Sequence, residues 1–306
     1  MEGASKLKIS SLTNFEVERV LSDDIFSKYV AVLGRFRDDD NSDCQAILRL
    51  SRRHFDLENL PALFSSGLQL DLDFHNDIYS KFAALPSEKF NYVTVDAIYP
   101  CTSKHISKFE RKPVHMVRET PELYRNAILP YIESIPAAQT QWVVNILEGK
   151  AEVERVIFMD DNLDSGFVLL PDLKWDQIQA NQLYCVAIAQ RRDVRSLRDL
   201  TAQHLPLLEN IIKQGSAVIQ NKYGVGSECL KIFVHYHPSY FHFHVHLMHT
   251  SQGSLANGAG KAHLLTDVID NIKVFGSDYY QRAVLQVEVG EGTDIMERIS
   301  SYSREK

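Results

Sequence analysis

The sequence is poor in cysteine, with four among 306 residues. Cys44, Cys101, Cys185 and Cys229 are scattered and form no C-x-x-C pair. That excludes a disulfide scaffold and a cysteine-type zinc site, and it fits a reducing compartment. No stretch approaches the roughly 20 apolar residues of a membrane-spanning helix, so no membrane contact is expected. The opening MEGASKLKISS has no apolar core after its lysines, and no secretory leader is expected from it. Excess positive charge is missing as well. The formal net charge is −7, whereas a grip on long nucleic acid normally needs a basic face. A small anionic ligand held by a few local cations stays open. Internal repeats and low-complexity tracts are also lacking. What remains is an ordinary globular composition, 44% hydrophobic and 24% charged, in a chain long enough for about two domains.

Asn14–Leu21, Tyr29–Leu33 and Val93–Tyr99 read as strands in the first third. The charged stretch from Ser107 to Tyr124, with Pro113 and Pro121, is the expected domain boundary. Beyond it, Gly166–Leu170 and Leu183–Ala189 read as buried strands. Asp199–Tyr223 reads as one amphipathic helix, capped by Thr201 and ended by Gly224, and His263–Ile272 as a second. Strands and helices with one clear hairpin predict an α+β fold.

The informative segment runs from Leu230 to His249. Two alternating runs flank Pro238-Ser239-Tyr240, the pattern of an antiparallel hairpin. Side chains alternate along a strand, so His242, His244 and His246 share one face at intervals of about 7 Å. Phe241, Phe243, Val245 and Leu247 take the other face and pack on the core. His235 and His237 lie across the turn. Three histidines on one face differ from a lone structural histidine with one partner. Two chemistries fit the residues. His-x-His is a common metal-ligand spacing, although no Cys, Asp or Glu in the hairpin completes a site. Neutral imidazole is also a nucleophile toward phosphorus, with neighbours that fix its tautomer.

The run His242-Phe243-His244-Val245-His246-Leu247-Met248 resembles the histidine-triad signature, His-φ-His-φ-His-φ-φ with φ apolar. His235-Tyr236-x-Pro238-Ser239-Tyr240, Pro171-Asp172-Leu173-Lys174-Trp175 and Arg195-Ser196-Leu197-Arg198-Asp199-Leu200 resemble the scavenger mRNA-decapping enzymes (DcpS) of that superfamily. The likeness starts near Phe74-His75-Asn76-Asp77-Ile78-Tyr79, reaches about residue 282, and is weakest in the first 70 residues.

The resemblance implies a homodimer. Residues 1–114 would form a small α+β domain exchanged between subunits, and residues 115–306 a histidine-triad catalytic domain with an antiparallel sheet and flanking helices. It implies hydrolysis of the 5′-cap dinucleotide, or of short capped RNA, to 7-methyl-GMP and a nucleoside diphosphate. This is the last step of 3′-to-5′ mRNA decay, in cytoplasm and nucleus. His244 would be the nucleophile, forming a nucleotidyl-histidine. His242, His246 and His235 would assist, with no metal and no cofactor. Cap recognition would fall to Trp142 as stacking ring, Glu152 and Asp172 as carboxylates, and Pro171 and Leu173 as apolar wall. A carboxylate and an aromatic face both favour the cationic methylated base. Lys174, Ser239, Tyr240 and Lys261 would meet phosphates, and Asn76 and Tyr79 would reach the ligand from the N-terminal domain. At position 261 lysine replaces an arginine, which keeps the charge and loses the fork. His237 replaces an apolar residue, and no role follows for it or for His249.

Two other features are read as structural. Arg191, Arg192, Arg195 and Arg198 are interrupted by Asp193 and Asp199, which predicts a solvated, partly paired face. Gly253–Lys261 fails the G-x-x-x-x-G-K-[ST] spacing of a nucleotide-binding loop.

Overall fold

The computed structural model describes residues 11–25, 28–37, 44–52, 55, 57–252 and 258–304. Most of the rejected phosphate-loop stretch, residues 253–257, lies outside them. The chain divides into two compact units between Arg111 and Lys112.

In the first unit, β1 (Phe15–Asp24), β2 (Tyr29–Phe36) and β3 (Ala46–Arg52) precede helix α1 (Leu60–Ser65). A hairpin of β4 (Leu70–Asn76) and β5 (Tyr79–Ala84), strand β6 (Val93–Ile98) and helix α2 (Ser103–Phe109) follow. Strands β1, β2, β3 and β6 form an antiparallel sheet in that order, and β4–β5 is a separate ribbon. Leu21, Ala31, Leu33 and Ile47 make the core, with Ile106 and Phe109 of α2 against it. All of β4 and β5 is exposed, including Leu72, Phe74 and Tyr79. An isolated two-stranded ribbon is marginal in water.

The second unit opens with β7 (Val114–Glu119). A helical run follows, made of α3 (Pro121–Leu123), a π turn (Tyr124–Ile128) and α4 (Leu129–Ser134), and then α5 (Gln141–Leu147). Strands β8 (Phe158–Met159), β9 (Phe167–Pro171) and β10 (Tyr184–Ala189) lead into a helix built from α6 (Leu205–Asn210), a π turn (Ile211–Gly215) and α7 (Ser216–Tyr223). Next come β11 (Leu230–His235), β12 (His244–His249), β13 (Ala262–Leu264), α8 (Leu265–Phe275), α9 (Tyr279–Arg282), β14 (Leu285–Gly290) and α10 (Asp294–Arg304). The main sheet is antiparallel, in the order β13-β11-β12-β10-β9-β8, and β14 pairs with β7.

Register decides what each face carries. Leu170, Val186 and His246 are opposed across three strands, as are Val168, Ile188 and His244. Directly opposed residues share a face. The other face presents Leu169, Ala187 and Val245, which join the large core with Leu208, Ile219, Val268 and Ile272 from the helices. Full burial of such side chains contributes about 1.5–3 kcal/mol each. On the histidine face, α5 packs Val143, Ile146 and Leu147 against Val168, Leu170 and Ile188.

Four local expectations need correction. The predicted helix from Asp199 starts at Ala202. Asp199 instead closes its own turn by accepting from the backbone N–H groups of Arg195 and Ser196, and Thr201 caps the next turn. The later helix begins at Leu265 and not His263, because residues 262–264 pair with β11 as an edge strand. The hairpin turn is longer than Pro238-Ser239-Tyr240. Tyr236 N–H donates to the Lys261 carbonyl and Phe243 N–H to that of Val194, so residues 236–243 leave the ladder. Arg198 does not lie on a solvated face: it is 1% exposed and paired with buried Glu119.

Candidate active site

A cavity of about 360 Å³ opens on the histidine face of the main sheet. Val186 and Ile188 of β10 line it, which identifies the face. Of the sequence-predicted residues, His235, His246, Ser239, Tyr240 and Lys261 line it from the β11–β12 region and the approach to β13. Trp142 and Glu152 line it from α5 and the turn beyond. Pro171, Asp172, Leu173 and Lys174 complete it from the exit of β9. Asn76 and Tyr79 sit opposite each other at the β4–β5 turn and are exposed, in the other compact unit.

The triad is buried, with His242, His244 and His246 at 6%, 4% and 6% exposure. The triad is therefore covered. The cover is aromatic: Tyr240 stacks flat on His244 with centroids 4.0 Å apart, and Trp142 meets Tyr240 edge-on at 4.8 Å. His246 contacts His244 at 5.1 Å and His235 at 4.4 Å. His242 precedes β12 and is not on it, and its Nε2 donates to the Ala189 carbonyl at 2.8 Å.

Hydrogen bonding fixes the tautomer of His244. Its Nδ1 donates to the carbonyl of His242 at 2.8 Å, so Nε2 carries the lone pair. That Nε2 is buried and has no hydrogen-bond partner among the described residues, as is also true of Nε2 of His246. Burial pushes the His244 pKa down to about 4, opposed by the bond to the His242 carbonyl and aided by His235 and His242. Burial pushes His246 down to about 2, with His244, His235, Lys174 and Lys261 acting in the same direction. Both rings are neutral near pH 7. The Tyr184 hydroxyl, 3.1 Å from His246 Nδ1, is held protonated by burial, which takes its pKa up to about 12.

The other lining residues are held by turns. Asp172 Oδ1 accepts from Lys174 N–H at 2.9 Å, a short loop that turns the chain after β9. Leu173 is left 84% exposed and Trp142 43%. Glu152 adopts a left-handed backbone (φ 53°), unusual for a side chain with a Cβ. Arg155 pairs with its carboxylate and also donates to the Pro171 carbonyl at 2.6 Å, tying the acid to the end of β9. Arg155 was not singled out from sequence, although its spacing of three from Glu152 is a usable signal. Gly260 (φ 86°) precedes Lys261, and a Cβ there would lie 2.7 Å from Met116 Cε. His237, left without a role, lines the cavity with its Nε2 2.6 Å from Glu119. Trp175, the last residue of the Pro171-Asp172-Leu173-Lys174-Trp175 motif, is buried in the core. Among the described residues, no cluster of three or more His, Cys, Asp or Glu is arranged to hold a metal ion.

The arrangement supplies a neutral imidazole of fixed tautomer, two lysines, an aromatic ring at the rim and two carboxylates. It suits attack on phosphorus in a ligand that also carries a cationic or hydrogen-bonding base. Residues 10–112 match the family described as scavenger mRNA decapping enzyme (DcpS) N-terminal, and residues 141–261 match scavenger mRNA decapping enzyme C-term binding. A Bos taurus protein named m7GpppX diphosphatase is 41% identical, over 89% of this chain and 81% of its own length. Proteins of the same name from Ascaris suum and Schizosaccharomyces pombe are 38% and 37% identical. They cover 94% and 89% of this chain, and 94% and 90% of their own lengths.

Proposed function

The chain belongs to the scavenger mRNA-decapping enzyme family, and from that premise we propose that it is an m7GpppX diphosphatase working through His244. The observation that carries this reading is the fixed tautomer: a neutral ring with Nδ1 committed to a carbonyl and Nε2 holding the lone pair. Nε2 attacks the phosphorus next to 7-methylguanosine. An N–P bond forms, the P–O bond to the nucleoside diphosphate breaks, and developing charge is met by neighbouring donors. Water then cleaves the N–P bond, releasing 7-methyl-GMP and restoring the ring.

Stacking occupies the faces of the His244 ring, while its lone pair lies in the ring plane. Because Nε2 is buried, contact with phosphorus requires the side chains around it to give way. Trp142 stacks on the cationic base, Glu152 and Asp172 accept from its N1 and N2 donors, and Pro171 and Leu173 flank it. Lys174, Lys261, Ser239 and Tyr240 meet the phosphates, with His242, His246 and His235 around the nucleophile. A homodimer is part of this reading: the exposed apolar residues of β4 and β5 need a cover, and Asn76 and Tyr79 sit at that ribbon's turn. The net charge of −7 favours short capped fragments over long RNA, so the step served is clearance of caps left by 3′-to-5′ decay.

Incubation with 7-methyl-GpppG tests the reading in one assay. The expected products are 7-methyl-GMP and GDP, with unmethylated GpppG turned over far more slowly. Formation of 7-methyl-GDP with GMP, or equal use of both dinucleotides, overturns it.

A further inference from the structure

The mechanism leaves one buried polar group unused. Glu119, at the end of β7, has a fully buried side chain. Its Oε1 accepts from Arg198 Nε at 2.9 Å, Arg198 Nη2 at 2.7 Å and the Tyr236 hydroxyl at 2.7 Å. The remaining guanidinium donors go to backbone: Nη1 to the carbonyls of Tyr280 and Ala283, and Nη2 also to that of Glu119. Arg198 therefore has no donor left for a ligand. Oε2 of Glu119 faces His237 Nε2 at 2.6 Å. Burial alone would raise the Glu119 pKa, but His237, Arg198 and Tyr236 outweigh it and hold the carboxyl below its usual range. An ionised carboxylate only accepts, so Nε2 of His237 carries its hydrogen and Nδ1 is the ring's other polar atom. His237 lines the cavity, whereas Glu119 does not.

Charge arithmetic gives this pair a consequence. Glu119 and Arg198 cancel, so a proton on His237 adds a net positive charge to the cavity wall, and no other buried acid among the described residues neutralises it. Resting on the cap-hydrolysis reading, we propose that His237 is a further phosphate-binding residue, oriented by Glu119 and donating Nδ1–H to the polyphosphate of the substrate. Such a charge-assisted bond is stronger than a neutral one. With Nε2–H given to Glu119, the bond exists only while both ring nitrogens carry hydrogen. Glu119, Tyr236 and Arg198 lie behind the ring. His235, His246, Lys174, Lys261, Asp172 and the Glu152–Arg155 pair also line the cavity. All of these are common to wild type and a His237 variant, so the comparison isolates position 237.

The test is calorimetric titration of the full chain with inorganic tripolyphosphate and with a hydrolysis-resistant methylene-bridged cap dinucleotide, at about pH 6 and about pH 8.5. His237→Leu should bind both probes about five- to tenfold more weakly than wild type at the lower pH and equally at the higher. His237→Gln, which keeps polarity but cannot titrate, should lose the same advantage and carries the test if the leucine variant melts early. Equal binding by wild type and variants at the lower pH overturns the proposal. A loss of the same size at both pH values does so too, because it marks a merely structural ring. If tripolyphosphate shows the contrast but the methylene-bridged cap dinucleotide is not bound and 7-methyl-GpppG is not cleaved, the cap reading fails and the role of His237 stands.

Discussion

Strand β12 and the chain leaving β9 line one cavity but hold their side chains by different means. His244 and His246 sit on a strand hydrogen-bonded on both sides, to β10 and β11, with rings packed on rings and almost no exposure. Asp172, Leu173 and Lys174 sit on a turn, Leu173 stands largely in solvent, and Trp142 of α5 is 43% exposed beside them. On the proposed reading, the first arrangement fixes the nucleophile before any ligand arrives, as chemistry at a phosphorus atom requires, and the second is completed by a flat base. Removing His244 should therefore abolish turnover and spare binding, and changes at the β9 exit should weaken binding and spare turnover.

The strongest way to break the comparison is His244→Asn. Turnover of 7-methyl-GpppG should fall by more than about 10⁴-fold, with cap affinity kept within a few-fold, measured by product formation and calorimetry. In wild type, acid quenching should trap a 7-methyl-GMP adduct on His244 by mass spectrometry. Residual turnover within about tenfold of wild type would give the nucleophile to another group.

Acid sensitivity comes next. With the His244 pKa pushed down to about 4, the ring keeps its lone pair well below neutrality. The acid limb of kcat/KM due to His244 should lie near 4. An ordinary imidazole, pKa about 6.5, would already lose about tenfold at pH 5.5. Stability carries the same sign. The unfolded chain binds protons at these histidines below about pH 6.5 while the folded chain refuses them. Their contribution is complete above that value and lost as pH falls toward 4, read as a lower urea midpoint at pH 5 than at pH 7.5. An acid limb at 6.5 would mean that His244 is solvated when it reacts, and the contrast with the β9 exit would disappear.

What the sequence revealed follows the same division. The His-φ alternation of β12 gives a facing set because strand period and residue period coincide, and Val245 and Leu247 do fall in the core. The aromatic cover could not be read from it, because Tyr240 belongs to a connection whose backbone bonds to Val194 and Lys261 and not to its own hairpin. Glu119 and His237 are 118 positions apart, and no periodicity links them. Arg198 looked like part of a charged surface because its acid, Glu119, comes from β7, 79 positions away in sequence. Lining residues such as Trp142 and Glu152 came from family likeness alone, since turns and a left-handed backbone leave no repeating trace.

The smallest effects belong to the exposed side, and two substitutions there sharpen the contrast. Trp142→Ala removes the ring expected to stack on the methylated base. A cation–π contribution of about 0.5–2 kcal/mol corresponds to roughly two- to thirtyfold weaker binding of 7-methyl-GpppG. The unmethylated dinucleotide should lose less. Because Trp142 also abuts Tyr240, a modest fall in kcat should accompany the change. Leu173→Ala should cost less than about threefold in KM and nothing in kcat, since an 84% exposed side chain has few contacts to lose. Steady-state kinetics with both dinucleotides measures all of these. If Leu173→Ala proved the costlier of the two, the turn after β9 would have to close on the base and bury that side chain, and the β9 exit would then be as rigid in the complex as β12 is in the free chain.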